Sequence, residues 1–357
     1  MKNKRIQELV SQLNQNKIEQ ILVTDPTSIY YLIQERFECS ERCLALLVRS
    51  NGDVSLLLNE LFNVKNYGIS LILYNDSKDP IEILAKQIDL SKTLGIDGNW
   101  PSRFLIPLLK KINSSLIFDS SYLIDFMRCK KDSFEAANMR HSSLINDSVM
   151  TKVVKLISSE FTESDLVKKL PTLFETNGAS KLSFNPIIAY GTNCANPHHE
   201  PTETKLQIGD SIIVDMGGIY NDYCSDMTRT FFYKSVSDEA KKIYEVVLRA
   251  NLAAIKMVKP GITINKVDEA ARSVIEEAGF GEYFTHRTGH GIGLCVHELP
   301  SVSSSDTTIL KPGMCFSIEP GIYKQDVCGV RIEDIVMVTE SGYELLNHYT
   351  KELTIIQ

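Results

Sequence analysis

The chain has 357 residues, 43% hydrophobic and 23% charged, which exceeds one ordinary domain and supplies a full apolar core, so two domains are expected. A net charge of −7 argues against nucleic acid or an anionic membrane as a partner. The longest apolar runs, such as Leu56-Leu57-Leu58, are strand-sized, and charges interrupt the first residues where a signal peptide would be apolar. Eight cysteines without a C-x-x-C pair read as buried free thiols, and the expected location is the reducing cytoplasm.

Ile6, Leu9, Val10 and Leu13 share one helical face. Strand-like runs follow at 21–24, stopped by Pro26, then at 43–48, 54–58 and 71–74. A helix over 81–88 precedes a strand at 93–96, and a second helix spans 103–112. This alternation predicts an α/β domain with a mixed sheet. The pattern loosens between Asn113 and Glu135, where polar residues gather around Lys130 to Ser133, and divides the chain into 1–131 and 132–357.

Beyond that boundary, helices are predicted over 134–157 and 165–176, with Thr162 and Asp165 forming a capping box and Gly178 ending the second. Helices over 237–258 and 265–278 come next, ending at Gly279. Thr162, Leu166 and Gly178 match Thr263, Val267 and Gly279 at a constant offset of 101. Such a match implies two related halves with a site where they meet. Of the seven histidines, all but His141 lie at 198 or beyond, which places the chemistry in this second domain.

Five side chains there have the character of metal ligands: Asp215, Asp226, His290, Glu319 and Glu333. An acid at the end of an apolar strand is costly unless a charge or cation meets it. Taken singly, Asp215 and Asp226 could simply terminate strands, and Glu319 and Glu333 could pair with Arg229 or Arg331. Four acids cannot relieve one another, whereas two divalent cations would relieve all of them. Carboxylate and imidazole donors without thiolate suit Mn²⁺, Co²⁺, Fe²⁺ or Zn²⁺. Two such ions, about 3.5–4 Å apart, acidify a shared water and polarise the group under attack. A two-metal hydrolase is the reading these residues favour.

Two further segments concern protons. Asn196-Pro197-His198-His199-Glu200-Pro201 is a turn-rich loop presenting two imidazoles, and His297 lies seven residues after His290. Imidazoles beside such a centre can donate to an oxyanion or carry a proton to a leaving amine. Glycines at 289, 291 and 293 permit close backbone approach. His286 and His348 read as surface residues.

The segments Ile213–Gly217, Tyr223–Thr230, Gly289–Gly293, Phe316–Tyr323 and Gly329–Asp334 resemble, in order, the motifs of the pita-bread metallopeptidases. The likeness is closest to Xaa-Pro dipeptidases (prolidases) and Xaa-Pro aminopeptidases. It covers about 135–355, and the first domain more loosely. It implies an α/β N-terminal domain followed by an α+β pita-bread catalytic domain, of creatinase/aminopeptidase type, with pseudo-twofold symmetry. By the same likeness Asp215 binds one metal, His290 and Glu319 complete the other, and Asp226 and Glu333 bridge both. His198 contacts substrate and helps proton transfer, His297 stabilises the tetrahedral intermediate, and Glu319 takes a proton from the attacking water. Arg331 either supports a ligand or meets the substrate carboxylate, its plainer alternative being a salt bridge to Glu333 or Asp334. Thr228 is a hydrogen-bonding support.

The implied reaction is hydrolysis before proline in a small peptide with proline second, using two divalent ions, manganese first, in a homodimer. The alternative within the class is an Xaa-Pro aminopeptidase acting on longer peptides. The alternative from another class, a non-enzymatic binding module on the same fold, sits poorly with five retained ligands. One departure bears on specificity: after Tyr30-Tyr31-Leu32 the family usually continues Thr-Gly-Phe, and this chain has Ile33-Gln34-Glu35.

Overall fold

A computed structural model describes residues 2–62, 64–112 and 116–357, and it divides into two compact units, 1–128 and 129–357. The first unit begins with helix α1 (Lys2–Gln15), whose Ile6, Leu9 and Leu13 are buried as their spacing requires. Strand β1 (Gln20–Val23) leads to helix α2 (Pro26–Ile33), then to β2 (Ala45–Arg49), β3 (Val54–Asn59) and β4 (Ser70–Tyr74). Helix α3 (Pro80–Ala85), β5 (Leu94–Ile96), helix α4 (Ser102–Ile112), β6 (Ile117–Asp119) and helix α5 (Ser121–Cys129) complete it.

The six strands form one sheet in the order β4-β3-β2-β1-β5-β6. Pairs β1–β2 and β2–β3 are antiparallel, while β3–β4, β1–β5 and β5–β6 are parallel, so the sheet is mixed. Leu22, Leu47 and Leu57 meet Ile81, Leu84, Leu108 and Ile112, which packs α3 and α4 against the sheet.

Two regions of this unit depart from the sequence reading. Pro26 does not merely stop a strand; it opens α2, because the first turn of a helix needs no N–H at that position. Asp25 caps it by accepting from Ser28 N at 2.8 Å. The segment read as loosening also holds β6 and α5, and its polar residues mark a start: Asp119 Oδ1 accepts from Ser121 N at 2.9 Å. Residues 113–115, part of that segment, lie outside the described residues.

The second unit opens with helix α6 (Ser133–Val153), closed at its start by a reciprocal box between Asp132 and Glu135. The helix expected over 165–176 is two: α7 (Glu163–Val167) and α8 (Leu170–Thr176). Pro171 has no N–H to give the carbonyl four residues back, so the helix breaks before it. The Thr162–Asp165 box caps α7 as expected. Strands β7 (Lys181–Leu182), β8 (Ile187–Tyr190), β9 (Ser211–Met216), β10 (Gly218–Tyr220), β11 (Tyr223–Cys224) and β12 (Met227–Tyr233) follow, then helices α9 (Asp238–Met257) and α10 (Asn265–Glu277). The rest is strands β13 (Gly289–Gly291), β14 (Glu298–Val302), β15 (Cys315–Ile318), β16 (Gly321–Lys324), β17 (Cys328–Arg331), β18 (Asp334–Val338), β19 (Tyr343–Leu345) and β20 (Ile355–Ile356).

Each half of this unit has its own sheet and its own core. In the first, β20-β12-β9-β8 pack against α6, α7 and α8 through Ile188, Ile212, Val214, Phe231, Leu166 and Phe174. In the second, β14-β13-β15-β18-β19 meet α9 and α10 through Phe316, Ile318, Val336, Val247, Ala250 and Val267. Phe174 is wholly buried, and truncating such a residue to alanine costs about 3–5 kcal/mol. The offset of 101 has structural content. Thr162 and Thr263 each make an isolated antiparallel bridge, to Lys205 and Ile309, and Gly178 and Gly279 both adopt positive φ, 101° and 82°.

Candidate active site

Strand register gathers the five acid and imidazole groups. Asp215 is the fifth residue of β9 and lies opposite Thr228 of β12, and Asp226 immediately precedes β12. In the other half Gly291 pairs with Phe316, and Ile318 with Asp334. Antiparallel pairing therefore brings His290, Glu319 and Glu333 to one end of that sheet. This needs backbones in close approach: a Cβ on Gly289 would stand 2.0 Å from Ser317 O, and one on Gly217 1.9 Å from Ser225 O. The halves are joined where Thr228 Oγ1 donates to Glu333 Oε2 at 2.7 Å and Glu333 N to Thr228 O at 3.1 Å.

Asp226, His290 and Glu333 bring one donor atom each within 4.8 Å of one another. Glu319 joins them, with Oε1 3.3 Å from His290 Nε2, and Asp226 Oδ2 is 3.8 Å from the same nitrogen. His290 Nδ1 lies 3.0 Å from Gly291 O. A carbonyl only accepts, so Nδ1 carries the proton and the Nε2 lone pair faces the carboxylates. Burial, above all, lowers the His290 pKa to about 4, which keeps that ring neutral. Burial, reinforced by Glu333, Asp215 and Glu319, raises the Asp226 carboxyl well above the usual range. Glu333 is raised in the same way, first by burial and then by Glu319 and Asp215.

Three buried carboxylate oxygens, Asp215 Oδ1, Asp226 Oδ1 and Glu333 Oε1, have no hydrogen-bond partner among the described residues. An unmet buried oxygen of this kind costs about 1–3 kcal/mol, and more when charged. Acceptors facing acceptors are resolved by a cation, and an all-oxygen-and-imidazole set fits a divalent one.

Arg331 is buried and committed. Its Nη2 donates to Asp215 Oδ2 at 2.6 Å, Nε to Thr228 Oγ1 at 3.1 Å, and Nη1 to Tyr323 OH at 2.8 Å and Pro197 O at 3.4 Å. The salt bridge to Glu333 or Asp334 contemplated from the sequence is not formed, because Asp334 pairs with Arg229 at 2.7 Å. Arg229 also donates to Glu333 O at 2.6 Å and to the carbonyls of Tyr349 and Thr350 at 2.8 and 3.0 Å. Lys351 Nζ reaches Asp334 Oδ2 at 2.6 Å and Asn251 Oδ1 at 3.0 Å. Asn251 Nδ2 in turn donates to Ile318 O and Ile332 O, the residues just before Glu319 and Glu333. The acids thus rest on a buried lattice of cations and amides.

His198 is exposed on its loop, and His199 is not: its Nε2 is 2.8 Å from the buried Glu163. The loop presents one imidazole, not two. His297 stacks edge-on against His290 with ring centroids 4.4 Å apart. Although His297 is exposed in part, its partial burial and then the neighbouring His290, Arg287 and His198 lower its pKa to about 4. His286, read as a surface residue, instead meets Tyr323 OH at 2.8 Å, extending a chain through Arg331 to Asp215. Its position four residues before His290, in the same glycine-bearing segment, was the available signal.

A two-half α+β fold enclosing clustered carboxylates around a neutral imidazole defines a metal-dependent hydrolase. A profile described as Metallopeptidase family M24 matches residues 137–340, and one described as Creatinase/Prolidase N-terminal domain matches residues 5–130. The chain belongs to metallopeptidase family M24. It is 35% identical over 351 residues to an uncharacterised peptidase of Staphylococcus haemolyticus, covering 97% of this chain and 99% of that protein. The crystal structure of a prolidase from Thermococcus sibiricus superposes with a TM-score of 0.92 at 34% identity, covering 99% of both chains. A dipeptidase from Mycobacterium ulcerans gives 0.94 at 32% identity, covering 99% of this chain and 97% of that one.

Proposed function

We propose that the protein hydrolyses the peptide bond preceding proline in Xaa-Pro dipeptides, with two divalent cations held by Asp215, Asp226, His290, Glu319 and Glu333. The observation that carries this reading is the cluster of Asp226, Glu333 and a neutral His290, with Glu319 beside it and three buried carboxylate oxygens of the site left unmet among the described residues. Asp215 would serve one cation, His290 and Glu319 the other, and Asp226 and Glu333 would contribute to both. Manganese is the first candidate, with cobalt, iron(II) and zinc as alternatives. When bound, the cations acidify water and polarise the scissile carbonyl.

The protein's own groups divide the remaining work. Glu319, the least buried of the four acids and held by Ser317 Oγ at 3.1 Å, accepts the proton that attacking water gives up. His198, exposed on its loop, contacts substrate and delivers a proton to the departing proline nitrogen. His297, beside His290, donates to the oxyanion of the tetrahedral intermediate. Arg331 fixes one oxygen of Asp215 and thereby aims the other. A bond to proline has no N–H, so peptidases that grip that donor fail on it and a separate site is chemically sensible.

The names of the superposable structures, a prolidase and a dipeptidase, support the choice of substrate. Eight cysteines that form no disulfide among the described residues favour the cytoplasm, and among the described residues no helix is long and apolar enough to cross a membrane. A homodimer completes the proposal. The test is to supply manganese-loaded protein with an Xaa-Pro dipeptide, the matching Xaa-Pro tripeptide and creatine. The dipeptide should be cut fastest. Faster tripeptide cleavage would make it an Xaa-Pro aminopeptidase, and failure on all three would leave a binding module.

A further inference from the structure

Glu163, the first residue of α7, is wholly buried at the start of a helix far from the acid cluster in sequence. Its carboxylate collects five donors. Oε1 accepts from Tyr190 N and Asn193 Nδ2, both at 2.8 Å. Oε2 accepts from Thr202 N, Thr202 Oγ1 and His199 Nε2, all at 2.8 Å. A carboxylate has acceptors only, so His199 must present N–H at Nε2.

All five donors belong to the segment 190–202, which carries His198 near its middle. The same segment is held from the other side. Gly329 of β17 comes so close that a Cβ there would stand 1.7 Å from Cys194 O, and Arg331 Nη1 reaches Pro197 O at 3.4 Å. The adjacent imidazoles therefore have opposite orientations. His199 is turned inward, its side chain 10% exposed, while His198 is exposed and bears electrostatically on His297.

We propose that Glu163, acting through His199 and Thr202, is a positioning residue that fixes the direction and reach of His198. This rests on the reading of His198 as a substrate-contacting, proton-handling group. Five charge-assisted bonds hold the loop more firmly than neutral ones would, because bonds to an ionised acceptor are roughly twice as strong. A displaced imidazole loses catalytic effect steeply, a shift of about 1 Å being able to cost about 10²-fold.

The test is kinetic and uses manganese-loaded protein with an Xaa-Pro dipeptide. His199→Ala should lower kcat/KM by about 10- to 10²-fold, with metal content and melting temperature near those of the parent. His199→Gln, whose amide N–H can replace Nε2–H, should recover most of the loss. In a His198→Ala background, His199→Ala should cause no further loss, because the positioned group is already gone. Thr202→Val, which removes one donor and leaves the backbone bond, should show the same dependence on His198 with a smaller loss, and it serves if His199→Ala does not fold. Equal losses in both backgrounds, or no loss in either, would overturn the positioning role while leaving His198 intact. Full activity of His198→Ala would overturn the reading of His198 and the proposal with it.

Discussion

Arg331 Nη2 lies 2.6 Å from Asp215 Oδ2, while the other oxygen of Asp215 is left without a hydrogen bond among the described residues. One carboxylate thus has an oxygen tied to a buried guanidinium and an oxygen available to a cation. The guanidinium is itself fixed by Thr228, Tyr323 and Pro197. Its planar fork orients the ligand as a point charge could not.

Arg331→Lys keeps the charge and loses the fork. It should weaken manganese binding by about 10–100-fold, the usual cost of removing a group that orients a ligand. Titration calorimetry on metal-free protein measures this directly. Unchanged affinity for both equivalents of metal would show that Asp215 does not depend on Arg331.

The acids make cation binding pH-dependent with a definite sign. Asp226 and Glu333 are raised well above the usual range, first by burial. Such groups stabilise the metal-free fold below their unfolded value near 4, and that contribution is lost as pH rises through the folded value. His290, with its pKa lowered from 6.5 to about 4, acts oppositely: the penalty of burying it is present below about 4 and gone above 6.5. Cation binding needs all three groups unprotonated. Manganese should therefore raise the melting temperature more at about pH 7.5 than at about pH 5. Metal-free Asp226→Asn should melt higher than the parent near neutrality, by roughly 2–4 °C per kcal/mol of repulsion relieved, and should respond less to manganese. A manganese effect equal at both pH values would contradict the cluster's assigned charge state.

Two histidines should separate cleanly. His198→Ala should leave metal content near normal and lower turnover by roughly 10²–10⁴-fold. His290→Ala should lose metal along with activity. Metal analysis beside steady-state rates decides the matter, and a His198→Ala protein stripped of metal would reverse the division of roles.

Substrate length is a separate expectation. Xaa-Pro dipeptides should be cut at least about tenfold faster than matching tripeptides, equivalent to about 1.4 kcal/mol of discrimination. The four hydrogen bonds already made by Arg331 turn it toward Asp215, so Arg331→Lys should alter metal affinity more than this length preference. A collapse of the length preference at unchanged metal affinity would place Arg331 on the substrate carboxylate instead.

Much of the architecture is readable from periodicity, because α1, α9 and the buried strands each obey one pattern over many residues. Elements set by a single residue are harder. Pro26 ends a strand or begins a helix with equal propriety, and only Asp25 accepting from Ser28 N distinguishes the two. The acid cluster was legible because a strand-end carboxylate in apolar surroundings demands a partner whatever the fold. The orientation of His198 against His199, the contact of His286 with Tyr323 and the choice of Asp215 by Arg331 were not. Each depends on a partner 36 to 116 residues away that no local pattern names.

The lattice beneath the acids also orders events in time. Arg229 is anchored to the carbonyls of Tyr349 and Thr350, and Lys351 supplies the cation for Asp334, beside Glu333. A ribosome releases Asp215 and Asp226 more than a hundred residues before these anchors. Until then the first two acids have neither their counterparts nor the platform that spaces them. A growing chain that has not reached these anchors therefore lacks the platform of the acid cluster, and the hydrolytic centre is assembled only once residues 349–351 have joined the core.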